Sequence, residues 1–106
     1  MTTTTLIRVA DLTEIPPETN KAFLVNDVSV LICHTSQGLF AVENLCSHQL
    51  ATLEGGKMKS CYLFCPKHSV RFDLRTGQPA GNLTKTPVQT YKISVVGTEI
   101  FINLPI

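Results

Sequence analysis

The chain has 106 residues, 43% of them apolar and 16% charged, with a formal net charge of +1. That length suits one domain with a single modest core, and a charge so near zero speaks against a general nucleic-acid binder, whose surface is usually strongly basic. No apolar run approaches the roughly 20 residues of a membrane span. Met1 to Arg8 shows no basic stretch followed by an apolar one, so no secretion signal is read and the cytoplasm is the expected compartment.

In chain order the pattern is one of short strands broken by turns. Leu6 to Ala10 reads as a first strand, and Asp11 to Asn20, with Pro16 and Pro17, as a loop. Lys21 to Asn26 and Val28 to His34 are β-rich runs. Thr35-Ser36-Gln37-Gly38 is a turn, and Leu39 to Glu43 continues as a strand. From Asn44 to Gly81 the strands shorten, and Gly55-Gly56 and Thr76-Gly77 punctuate the run. Lys57 to Ser60 and Cys61 to Phe64 are expected to pair as a small hairpin, with Arg71 to Leu74 as a further short strand. Tyr91 to Val96 and Glu99 to Asn103 form a hairpin around Gly97-Thr98. No helical period, repeat or low-complexity linker is visible, and Thr2 to Thr5 reads as a frayed end. The sum is an all-β fold, an antiparallel sandwich or barrel base interrupted by a small metal-bearing part.

That middle part holds the informative residues. Cys46-Ser47-His48 is followed, after a gap of sixteen residues, by Cys65-Pro66-Lys67-His68. Cysteine and histidine are the side chains that best bind soft and borderline metals. Each pair is tight enough for both ligands to reach one centre. A single zinc ion would accept two cysteines and two histidines, but such sites usually pair like with like. Here each loop supplies one of each, which suits an asymmetric centre with both thiolates on one iron and both imidazoles on the other, as in a Rieske [2Fe–2S] centre. Cys33 and Cys61, in β-like apolar runs, read as small buried hydrophobes. His34 has no partner at motif spacing and reads as an ordinary polar or internally satisfied group.

The signature C-x-H then C-x-x-H, with Asn44-Leu45 before it and Arg71-Phe72-Asp73 and Thr76-Gly77 after it, resembles that of the Rieske ferredoxins serving bacterial aromatic-ring dioxygenases. The resemblance runs from about Leu6 to Leu104, with Tyr91 where a K-T-Y-like strand start is common. It implies one Rieske domain over residues 1–106, its cluster-binding part approximately 44–81 and formed by two loops. It implies one [2Fe–2S] cluster, with Cys46 and Cys65 on the inner iron and His48 and His68 on the outer. Pro66 would shape the second loop, and backbone N–H groups would donate to the sulfurs. It further implies a one-electron carrier and not an enzyme, taking electrons from an NAD(P)H-dependent flavin reductase and passing them to a terminal oxygenase, with no nucleic-acid or membrane partner. The alternatives are a zinc-stabilised interaction module and a small Rieske subunit of another oxidoreductase.

Departures from the family pattern bear on potential. High-potential respiratory relatives carry an extra cysteine in each loop; here those positions are Ala51 and Lys67. Their serine and tyrosine hydroxyl donors correspond to Val70 and Phe72, leaving Ser69 as the nearest hydroxyl. Fewer donors to sulfur imply a low potential, on the order of −150 mV. Gln49 and Leu83 replace a frequent glycine and proline, which bears on the shape of the tip. Lys67 lies beside His68, with Lys57, Lys59 and Lys85 as possible companions; two readings stand, solvated lysines that do little alone, or a Lys67 that steers the tip onto an acidic partner.

Overall fold

Alternating apolar and polar side chains organise the chain into strands that stack as three layers. The computed structural model describes residues 4–46, 51–66, 70–80 and 86–105. Strands β1 (Thr4–Asp11), β10 (Ile93–Val96) and β11 (Glu99–Pro105) form a sheet of order β1-β11-β10. Strands β2 (Thr19–Val25), β3 (Val28–Thr35), β4 (Gly38–Glu43) and β9 (Thr90–Tyr91) form a second, of order β2-β3-β4-β9. The third, of order β5-β6-β7-β8, contains β5 (Met58–Lys59), β6 (Tyr62–Phe64), β7 (Arg71–Asp73) and β8 (Pro79–Ala80). All pairings given for these strands are antiparallel. The fold is thus an all-β antiparallel base with a smaller added part, as the sequence pattern implies.

The second sheet is a shared wall. Val30, Leu31, Ile32 and Cys33 of β3 are all fully buried, although successive strand residues face opposite ways. Val30 and Ile32 join Ala41, Ile100, Ile102 and Leu104 in a core between the first two sheets. Leu31 and Cys33 join Val42, Leu63, Phe72 and Leu74 in a core between the second and third. A strand buried on both faces reads as a continuous apolar run, which is what this stretch shows. Each large aliphatic or aromatic side chain so buried contributes roughly 1.5–3 kcal/mol.

Local chemistry explains the turns. The β2–β3 hairpin turns on Asn26 and Asp27, at φ 48° and 66°. Asn and Asp tolerate this left-handed region, which two-residue hairpins need at both central positions. After β1, Asp11 caps a single 3-10 turn at Leu12–Glu14: its carboxylate accepts the Thr13 N–H (3.0 Å), while Glu14 accepts the Asp11 N–H (2.7 Å).

Two strand expectations are corrected. Tyr91 to Val96 is not one strand but two, broken at Lys92. Tyr91 pairs with Ala41 in the second sheet, whereas Ile93 pairs with Ile102 in the first. The chain changes sheets at this point, as strands do at sandwich corners, and the Lys92 carbonyl accepts the Asn103 N–H there (2.9 Å). Cys61 lies in the β5–β6 turn rather than in a strand, beside Ser60 at φ 57°. In addition, β8 pairs Pro79 with Phe72 at the sheet edge, where proline's missing N–H is tolerated.

Candidate metal centre

The first loop begins where β4 ends. Asn44 is buried and uses its whole amide. Its Oδ1 accepts the N–H groups of Leu53 (2.8 Å) and Glu54 (2.9 Å), and its Nδ2 donates to Ser29 Oγ (3.2 Å). Its backbone N–H donates to the Ser29 carbonyl (2.9 Å). One side chain therefore ties the base to both the entry and the exit of the loop. Farther along, Asn20 acts as a peptide mimic: its Oδ1 accepts the Gly55 N–H (2.8 Å) and its Nδ2 donates to the Gly56 carbonyl (3.0 Å). Glu54 accepts the Ala22 N–H (2.7 Å). Gly56 has no room for a side chain, since a Cβ there would sit 2.1 Å from the Phe64 carbonyl.

The second loop joins two paired strands, with Phe64 opposite Arg71 at its base. The two loops share one closure. The Cys46 N–H donates to the Ala51 carbonyl (2.7 Å), and the Cys65 N–H donates to the Val70 carbonyl (2.9 Å). Each bond reaches five residues ahead, so each cysteine opens a tight loop of its own.

Both cysteines turn inward. Cys46 is 0% exposed and Cys65 3%, and both belong to the second core with Leu53, Leu63, Val70, Phe72 and Val88. Val70 and Phe72 wall this region with hydrocarbon and aromatic surface. None of the four cysteines forms a disulfide. His48 and His68 fall within the two loops in sequence but lie outside the described residues, as do Lys67, Ser69, Gln49, Leu83 and Lys85.

The remaining candidates are accounted for elsewhere. Cys33 is fully buried in the same core, and burial pushes its thiol up to about 12. It is the buried hydrophobe that its surroundings in sequence imply. Cys61 is also buried but has polar company, its thiol adding to the influences that lower the Asp73 carboxyl. Arg75 grips that carboxylate through two contacts of 3.0 and 2.8 Å and holds it below the usual carboxylate range. His34 is satisfied internally: Nδ1 lies 2.9 Å from the Ile15 carbonyl, an acceptor only, so Nδ1 carries the proton. What sequence reasoning missed is Asn44 as an anchor. Its signal was an asparagine closing an apolar strand two residues before a candidate ligand, where a side-chain amide can replace a peptide.

The chain belongs to the Rieske [2Fe-2S] domain family, whose model matches residues 5–92. Among its relatives is the ferredoxin subunit of anthranilate 1,2-dioxygenase from Burkholderia cepacia, 36% identical over 66 residues, which are 62% of this chain and 61% of that one, under two thirds of its length. The ferredoxin component of the naphthalene 1,2-dioxygenase system from Pseudomonas aeruginosa is 27% identical over 88% of this chain and 89% of its own. Among solved structures, the ferredoxin of carbazole 1,9a-dioxygenase from Nocardioides aromaticivorans IC177 is 37% identical. It superposes with a TM-score of 0.85 over 92% of this chain and 96% of its own.

Proposed function

We propose that this chain is a one-electron carrier serving the terminal oxygenase of an aromatic-ring dioxygenase system. Its electrons would come from an NAD(P)H-dependent flavin reductase. Cys46 and Cys65 would hold one iron of a Rieske cluster, and His48 and His68 the other, all within a single domain whose cluster-binding part is approximately residues 44–81. The observation that carries this reading is the pair of buried cysteines outside any disulfide, each opening a loop closed by the same five-residue hydrogen bond. Cysteine sulfur is the donor that one iron of such a cluster takes. A bound [2Fe–2S] cluster supplies storage and release of one electron.

The chain's own residues do the rest. Asn44 and the β6–β7 ladder hold the two loops in place, and Leu53, Val70 and Phe72 keep water from the thiol side. The buried positions Val70 and Phe72 offer no hydroxyl to sulfur, which supports a potential near the low end of the Rieske range, on the order of −150 mV. The relatives that are ferredoxin components support the carrier role, and four cysteines outside any disulfide suit a reducing cytoplasm. Among the described residues no helix is long and apolar enough to cross a membrane.

The test is optical and magnetic. Purified protein should be red-brown and, once reduced, give an EPR signal of low average g; a colourless, EPR-silent zinc protein would overturn the reading. A redox titration giving a strongly positive potential would overturn the low-potential part alone.

A further inference from the structure

The net charge of +1 conceals a division. Six of the nine basic side chains fall between Lys57 and Lys85, against one of the eight acidic ones, Asp73. The rest of the chain has three basic and seven acidic side chains. At neutral pH the first part therefore carries +5 and the remainder −4.

Four of those six basic residues, Lys57, Lys59, Arg71 and Arg75, lie among the described residues and share a face. Leu63 and Phe72 point into the second core, with Met58 packed against it. By the two-residue period of a strand, Lys59, Tyr62, Phe64, Arg71 and Asp73 point outward. Lys57 continues this face, since the Phe64 N–H donates to its carbonyl (2.8 Å). Lys57, Lys59, Arg71 and Arg75 are exposed, while Tyr62 and Phe64 are half-buried between them. The Arg71 guanidinium lies 5.3 Å from the Tyr62 ring centre, a cation–π contact that holds it over the sheet. Asp73, the one acidic group on this face among the described residues, is already matched by Arg75. What remains is a cationic surface set with two aromatics, and Arg and Tyr are residue types enriched at protein interfaces. The Phe64–Arg71 pair adjoins Cys65 and Val70, so this face begins at the base of the second loop.

We propose that the outer face of the third sheet is the docking surface for an acidic face of a redox partner protein. The opposite charge of the rest of the chain turns the carrier so that this face arrives first. The inference rests on the electron-carrier reading above and adds the partner's chemistry and the face it meets. Complementary fields of this kind raise association rates, and salt screens them.

Two soluble acceptors of opposite charge test this without the natural partner: an acidic cytochrome b5 and a basic cytochrome c. Reduced holoprotein is mixed with each in a stopped-flow instrument over a range of salt. One electron leaves the carrier and one ferric haem becomes ferrous, so the exchange needs no co-reactant. With the acidic acceptor the rate should fall about tenfold between low salt and roughly 0.5 M. With the basic one it should hold or rise. Lys59→Glu/Arg71→Glu should abolish the fall. Arg8→Glu/Lys21→Glu, which changes net charge equally but on the first two sheets, should preserve most of it. Equal loss of the salt dependence in both double variants would overturn the proposal, because net charge and not this face would then be responsible. Tighter binding of a single-stranded oligonucleotide than of the acidic cytochrome would overturn it too, assigning the face to nucleic acid. A purified chain without iron–sulfur absorbance would instead overturn the carrier reading, and the docking proposal with it.

Discussion

The two loops that open at Cys46 and Cys65 close with the same backbone hydrogen bond but are fastened to the protein differently. The second loop sits on a ladder, with Phe64 and Arg71 paired across β6 and β7, so its base is set by backbone register. Among the described residues the first has no such ladder beneath it; its entry and exit meet at the side-chain amide of Asn44. Backbone register survives most side-chain changes, whereas an amide that satisfies two N–H groups does not. Equal-looking loops should therefore differ in their tolerance of substitution.

The sharpest way to test whether the loops are equal partners in function is to remove each thiol. Cys46→Ala and Cys65→Ala should each abolish the bound iron and the visible absorbance, while Cys61→Ala, outside both loops, should retain them; iron-to-protein ratios decide. Retention of full iron after either of the first two changes would break the proposed ligand set. Next in size is the difference in fastening. Asn44→Leu leaves the Leu53 and Glu54 N–H groups without their acceptor, at about 1–3 kcal/mol each. Asn44→Asp, which keeps an acceptor, should recover part of that loss. On the second loop, Arg71→Ala leaves the ladder intact and should cost no more than about 1 kcal/mol. Urea denaturation of the three variants gives the comparison directly.

Two smaller effects concern the surroundings of the loops. Cys33, in the core beneath them, titrates at about 12 because of burial. Its folded value lies above its unfolded one, so the folded state retains a proton that the unfolded state gives up. Its contribution to stability is thus complete below the ordinary thiol range and is lost as pH rises from there through about 12. Cys33→Val should flatten that alkaline limb in pH-dependent melting curves. Asp73 has the opposite sign: Arg75 holds its carboxyl low, so the contribution is present above the ordinary carboxylate range and fades as pH falls through the folded value. Arg75→Gln should weaken this acid-limb dependence, and only slightly, since the Arg75 side chain is largely in water.

The sequence was most readable where function and fold are written in neighbouring residues. The spacing of Cys46, His48, Cys65 and His68 proposes a ligand set by itself, and turn chemistry marks the hairpins β3–β4 and β10–β11. What escaped depends on partners distant in the chain. Lys92 looks like mid-strand until its carbonyl is seen to meet Asn103. Pro79 looks like a breaker until Phe72 gives it an edge to pair with. Asn44 looks like a flanking turn residue until Leu53 and Glu54 fold back onto it. Cys61, placed in a strand by its apolar neighbours, lies in a turn beside Asp73 and Arg75. Local propensity carries no record of such meetings, which tertiary packing decides.

The double burial of β3 also limits how this protein can be taken apart. Leu31 and Cys33 belong to one core and Val30 and Ile32 to the other, so the small third sheet has no floor of its own. Excised and grafted onto another scaffold, residues 44–81 would leave behind half of the core that covers Cys46 and Cys65. The loops are therefore not a portable cassette. Any transplant that keeps them must bring β3 and β4 along, and with those strands comes the sandwich they help to build.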